Sequence, residues 1–289
     1  MNTNRIRYRL AKQKIMFGLF SMAALANALA VGIVIYFITV RGFEALSLEF
    51  LTQVPRDSMT KGGILPCIIG TLCLAGGAVL FALPVGVATA VYMNEYAKPG
   101  RLVGFIRFCI SNLAGVPSIV YGLFGLAFFC ILLGMGVSIL AGSLTLGVMS
   151  LPVVIGASEE ALRAVPQTYR EASYGIGATP WQTIYRVVLP SALPGILTGT
   201  ILALSRAAGE TAPIMFTGAV FFTPKLPDSI LSEVMALPYH IYILATAGIN
   251  IEQTRPMQYG TALVLISLVL GMNLFAIVLR YRLRKNLNP

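Results

Sequence analysis

Long apolar runs separated by short polar stretches are the dominant pattern of this 289-residue chain. Six such runs cover about 15–40, 64–93, 108–133, 137–157, 189–222 and 257–279. Each is long enough for a membrane-spanning helix, which needs about 20 predominantly apolar residues. From Phe108 to Ser158 there is no Asp, Glu, Lys, Arg or His at all, so that stretch holds two spans and a turn. The pattern therefore predicts an all-α, polytopic membrane protein with six transmembrane helices. Proline and glycine fall inside several runs, which membrane helices tolerate when neighbours satisfy the freed backbone groups. Pro84 and Pro117 are expected to kink their spans.

The polar interruption at 158–188 reads differently from the rest. Ser158 followed by Glu159 and Glu160 predicts a helix start, a hydroxyl cap with acids near the positive dipole end. Pro166 opens a second short helix that reaches Tyr174 and stops at Gly175. Thr179 as N-cap, Pro180 as first residue and Gln182 closing a capping box predict a third start, running to Leu189–Pro190. Tyr169, Ala172, Ser173 and Ile176, spaced i, i+3, i+4 and i+7, form one mostly small face suited to a groove in another protein. A plain connector lying on the membrane is the competing reading. The "GIGATP" turn is no dinucleotide loop, because Pro180 takes the third glycine position and no strand precedes it.

Composition supports the membrane reading. Only 11% of residues are charged and 57% are hydrophobic, against about 25% charged in soluble domains; mean hydropathy is +0.81. The net charge of +10 is explained by its distribution. Fifteen Lys and Arg residues lie in the N-terminal tail, the second and fourth connections and the C-terminal tail, against five on the opposite side. The positive-inside rule then places both termini and the 158–188 segment in the cytoplasm. The basic residues flank spans and have no aromatic recognition surface beside them, so nucleic acid is not an expected partner. Cys67, Cys73, Cys109 and Cys130 lie in or beside apolar runs without metal or redox spacing and read as small buried hydrophobes. His240, the lone histidine, reads as an ordinary polar loop residue. The N-terminal basic residues and apolar run imitate a signal peptide, but about 26 apolar residues favour an uncleaved first span.

"ALSRAAGETAPIMFTG" places Arg206 near the middle of the fifth run, with Glu210 four residues on along the same helical face. A central arginine costs on the order of 2.5–3.5 kcal/mol, and intramembrane charges mark functional sites by default. Pro213 removes the usual partner of the Gly209 carbonyl, so a bend is expected there, with Thr211 beside it. Two readings fit: Arg206 lines an anion pathway with Glu210 neutralising it, or the two form a structural ion pair. Small residues Gly195 and Gly199, and Ser205 and Gly209, have helix-packing spacing. The connection at 223–256 contains "LPYHIYILATAGI", which suits an interfacial helix or a gate-capping loop.

Glu171-Ala172-Ser173, three residues, Gly177, nine residues, Val187, one residue, Leu189-Pro190 resembles the EAA loop of ABC-importer membrane subunits. Serine and valine replace an alanine and an isoleucine of that pattern. "EEALRAVPQTYREASYGIGATPWQTI" and "ALSRAAGETAPIMFTG" are similar to the phosphate-specific importer permeases of the PstA kind, from about residue 64 onward. The resemblance implies a type I ABC importer (MetI-like) architecture: residues 1–63 carry a tail, the first span and an external loop, and 64–289 form the permease domain. It implies that the 158–188 segment couples to a separate ATPase, with Glu171, Ala172, Ser173, Gly177, Leu189 and Pro190 as the motif. It also tilts Arg206, Glu210 and Thr211 toward the substrate pathway. The implied partners are a second homologous permease, an ATPase dimer, an extracytoplasmic phosphate-binding protein and membrane lipid. No GxxxxGK[ST] occurs in the chain, so ATP and Mg are expected on the partner ATPase, with no cofactor, metal or catalytic residue here. The rivals are a permease for phosphonate, molybdate or sulfate, a proton-coupled secondary transporter, and a signalling or scaffold protein.

Overall fold

The computed structural model describes residues 3–56, 59, 61–98, 100–247 and 251–287. It is built on helices. α1 (Thr3–Phe43) leads into the short α2 (Leu48–Thr52) and a small antiparallel pair, β1 (Pro55–Arg56) and β2 (Lys61–Gly62). α3 (Leu65–Val91) ends in a π turn at Tyr92–Tyr96, and α4 (Arg101–Leu113) and α5 (Ser118–Gly125) follow, α5 continuing as a π turn at Leu126–Leu132. Next come α6 (Ile139–Arg163), α7 (Gln167–Gly175) and α8 (Pro180–Thr183), the last joined through a π turn at Ile184–Val188 to α9 (Leu189–Gly209). α10 (Ile214–Thr217), α11 (Leu237–Thr246) and α12 (Ile251–Leu287) complete the order. Among the described residues, five helices are long and apolar enough to cross a membrane, or six if the bent α4–α5 pair is one span.

α3, α6 and α9 pack on one another and form the centre. Without water to expel from lipid-facing surfaces, close backbone approach carries much of this packing. The small residues of α9 allow it: a Cβ at Gly195 would lie 2.6 Å from Ala161 Cβ on α6, and Gly199 abuts Ala157. Over 12–43, α1 is exposed at nearly every position. It touches α12 near Gly42, where Phe37 meets Tyr259 edge-on with ring centroids 5.5 Å apart.

The third apolar run is not one straight span. α4 and α5 meet at 102°. Pro117 is the N-cap of α5, with extended ψ of 141°, and a residue before proline is held out of the helical region. Across this corner the Tyr121 hydroxyl donates to the Leu113 carbonyl at 2.8 Å. The fifth run also differs from expectation. Its helix begins at Pro180, is continuous through Leu189 and Pro190, and stops at Gly209 rather than reaching residue 222.

No helix starts at Ser158. α6 runs unbroken to Arg163, and Ser158 is fully buried within it. The switch to polar residues marks a change of surroundings, because Glu159 pairs with Arg163 (2.8 Å) and Arg107 (3.6 Å) and Glu160 is exposed while the backbone continues.

His240 is no loop residue either. It lies on α11, only 2% exposed, and its Nδ1 has no hydrogen-bond partner. Burial pushes its pKa down to about 4, so it is neutral at ordinary pH. α11 itself packs against α3 and α12, and its first amide, Leu237 N, donates to Thr71 Oγ1 at 2.9 Å.

Candidate functional site

The polar 158–188 segment folds as a compact helical hairpin. α7 starts after Pro166, whose extended ψ of 139° makes it the cap rather than the first helical residue. The chain then reverses through Gly177, at φ +84°, a left-handed conformation that only glycine adopts at little cost. α8 opens with the full capping box: Gln182 N donates to Thr179 Oγ1 at 3.3 Å, and Thr179 N donates to Gln182 Oε1 at 2.9 Å.

The two faces of α7 differ. Glu171, Ala172, Tyr169, Tyr174 and Ile176 are exposed, and Ile176 is 88% so. Ser173 was expected on the same small outward face as Ala172, but it turns inward and is 7% exposed. Its hydroxyl meets that of Thr183 on α8 at 2.9 Å. An i to i+1 step rotates about 100° around the helix, so neighbours such as Ala172 and Ser173 need not share a face. Of the remaining motif residues, Gly177 makes the turn. Leu189 lines an apolar groove of about 890 Å³ between α3 and the α8–α9 helix. Pro190 lines a more polar cleft of about 570 Å³ that also includes Pro166, Tyr169 and Arg186.

The inward side of α7 carries a residue pair that sequence reasoning did not connect. Arg170 is 8% exposed. Its Nη2 and Nε reach Glu95 Oε1 and Oε2 at 2.7 and 3.2 Å. Its Nη1 donates to the Val165 carbonyl at 2.9 Å and Nη2 to the Leu162 carbonyl at 3.0 Å. A planar guanidinium suits this forked arrangement. Glu95 sits in the π turn that ends α3 and also accepts from Asn94 Nδ2 at 2.6 Å. The one available signal was that Glu95 is the single acid between Asp57 and Glu159.

At the other end of α9, Arg206 Nε donates to Glu210 Oε1 at 3.2 Å. The side chains are 45% and 19% exposed. Arg206 occupies the last turn of α9 rather than the middle of a span, because the helix ends at Gly209 and Glu210 is extended, with ψ of 135°. A cation at a helix C-terminus is favoured by the partial negative charge of its carbonyls. Thr211 is half-buried in the break, and its carbonyl accepts from Met215 N at 3.1 Å as α10 begins. α5 presses against this break: a Cβ at Gly122 would lie 3.0 Å from the Ala212 carbonyl oxygen and from Pro213 Cα. Ser205 Oγ and the Asn273 side-chain amide meet at 2.5 Å, tying the end of α9 to α12. The structure thus brings Arg206, Glu210 and Thr211 together at one interrupted turn, apart in sequence from the α7 motif. Among the described residues, no group of three or more His, Cys, Asp or Glu side chains could hold a metal ion.

Residues 82–289 match the model of the family described as binding-protein-dependent transport system inner membrane component. The chain belongs to this family. It is 36% identical over 276 residues to "Probable ABC transporter permease protein YqgI" of Bacillus subtilis, covering 91% of this chain and 93% of that protein. It is 41% identical over 221 residues to "Phosphate transport system permease protein PstA 1" of Mycobacterium tuberculosis, covering 76% and 71% of the two chains. It is 30% identical over 278 residues to "Phosphate transport system permease protein PstA" of Haemophilus influenzae, covering 95% and 97%. Among solved structures, the MetNI methionine ABC transporter in an inward facing conformation superposes with a TM-score of 0.62 at 20% identity, covering 76% of this chain and 95% of that one. A bacterial ABC transporter involved in alginate import superposes with a TM-score of 0.55 at 16% identity, covering 89% and 95%. These two likenesses establish the importer-permease fold. The family member described here is a multi-pass inner-membrane protein.

Proposed function

We propose that this chain is a permease subunit of an ABC importer that carries inorganic phosphate across the cytoplasmic membrane. The proposal rests on the relatives named as phosphate transport permeases, which align over most of the chain. One structural observation carries the mechanism: α7 presents Glu171 and Ala172 outward while Arg170 and Ser173 fasten it from behind. A separate ATPase dimer, holding ATP and Mg, docks on that outward face. A second permease completes the pathway, and an extracytoplasmic phosphate-binding protein delivers the anion. Both termini and α7 lie on the cytoplasmic side in this reading, which the excess of Lys and Arg there supports.

Arg206, Glu210 and Thr211 serve the pathway. With Nε on Glu210, the Nη groups of Arg206 offer donors in the fork geometry that suits a phosphate oxyanion. Glu210 balances the charge when the anion is absent. ATP-driven closure of the ATPases draws the coupling helices together and turns the cavity outward, and hydrolysis resets it.

Uptake of labelled phosphate at low external concentration tests this, in cells lacking the chain and in cells complemented with it. Wild type restores uptake, and excess sulfate, molybdate or phosphonate does not compete. Unchanged uptake on deletion, or loss to another anion, removes the phosphate assignment.

A further inference from the structure

α7 is fastened to its own permease at two places, and the two lead to different helices. The Ser173–Thr183 hydroxyl contact joins it to α8, which is continuous with α9. The Arg170 guanidinium joins it to α3 through Glu95, and at the same time to the last carbonyls of α6 through Leu162 and Val165. The side chains of Arg170 and Glu95 are only 10% and 8% exposed. The π turn at Tyr92–Tyr96 places Glu95 at this junction, where a widened turn re-aims the side chains at the end of α3.

We propose that the Arg170–Glu95 pair is the link through which movement of α7 is transmitted to α3, so that ATP hydrolysis by the docked partner is coupled to movement of the helix bundle. This rests on the proposed ATPase docking at α7. Covalent continuity already carries motion from α7 into its sequence neighbours α6 and α8–α9. α3 has no such continuity with α7: Glu95 lies 75 residues before Arg170. Packing of α3 on α6 and α9 offers an indirect route, whereas this pair joins α7 to the end of α3 directly, with two charge-assisted bonds shielded from competing water. A buried charge left without its partner is strongly unfavourable, so the junction moves as a unit rather than slipping. Both residues are positioning residues, and neither need touch the transported anion.

The test uses the assembled transporter in proteoliposomes: this chain, its second permease, the ATPase and the binding protein. Phosphate transported and ATP hydrolysed are measured together. In Arg170→Gln and Glu95→Gln, ATP hydrolysis persists, while phosphate moved per ATP falls about tenfold, within the range of typical coupling between sites. Arg170→Lys, which keeps one charged donor, retains part of the ratio. To separate linkage from folding, Glu95→Cys and Arg170→Cys are combined in a background lacking Cys67, Cys73, Cys109 and Cys130. Joining the two thiols with a short bifunctional methanethiosulfonate restores the ratio, and reductant abolishes it again.

A wild-type ratio in both Gln variants, or a cross-link that restores nothing, overturns the proposal. Failure of the wild-type assembly to couple phosphate movement to ATP removes the underlying reading instead, so the two failures are distinguishable.

Discussion

The Ser173 and Thr183 hydroxyls meet at 2.9 Å across the hairpin, both buried, and lock α7 against α8. The serine where the importer pattern has alanine is thus an internal fastening. Ser173→Ala keeps the close approach and loses one hydrogen bond, worth about 1 kcal/mol. Phosphate uptake in that variant stays near wild type. Ser173→Leu forces α7 away from α8 and abolishes uptake while the protein remains in the membrane. Uptake assays with membrane immunoblots check both.

The Arg206–Glu210 contact is a single 3.2 Å bond with the arginine half exposed. Exposed pairs of this kind contribute about 0.2–1 kcal/mol, so a purely structural role predicts little from its loss. Arg206→Gln is expected to leave the amount and melting temperature of the purified protein nearly unchanged while uptake is lost. An equal fall in stability and uptake would favour the structural role.

Gly195 faces Ala161 on α6 with no space for a side chain, since an added Cβ would lie 2.6 Å from that methyl group. Gly195→Val drives α9 from α6, at a cost of about 1–3 kcal/mol for an overpacked contact. The melting temperature of the detergent-purified variant falls measurably. Gly104 on α4, where an added Cβ meets nothing within 4 Å, is the control: Gly104→Ala does not lower the melting temperature, since alanine is the better helix former.

His240 is neutral because burial holds its pKa at about 4, below the ordinary value near 6.5. The unfolded chain therefore takes up a proton on this residue before the folded chain does. The folded state loses stability as pH falls from about 6.5 toward 4, at up to about 1.4 kcal/mol per pH unit from this one group. His240→Leu removes the dependence. Melting temperatures at pH 7.5 and pH 5 check it: the difference between the two is smaller in the variant.

Local chemistry was legible in the sequence. The Thr179–Gln182 capping box, the glycine turn at Gly177 and the Arg206–Glu210 spacing each involve residues within a few positions, and each is present. What hydropathy could not resolve was where apolar backbone stops being helical. Residues 211–222 remain mostly apolar after α9 has ended, and the α4–α5 corner at Pro117 lies inside an uncharged run. Ser158 misled for the opposite reason, since polarity changed while the helix went on. The Arg170–Glu95 pair joins residues 75 apart, and His240 is buried on α11, a helix that packs against α3 and α12. No periodicity within one segment encodes such contacts.

The central claim, that a separate ATPase acts on the outward face of α7, is tested most directly by cross-linking. In a background lacking the four native cysteines, Ala172→Cys and Ser173→Cys differ by one residue, but position 172 is exposed and position 173 is buried. With a cysteine introduced on the ATPase subunit's docking surface, the account predicts an oxidative cross-link at position 172 that changes with nucleotide, and none at 173. No cross-link at 172 in a transport-competent complex, or equal cross-linking at both positions, would contradict it.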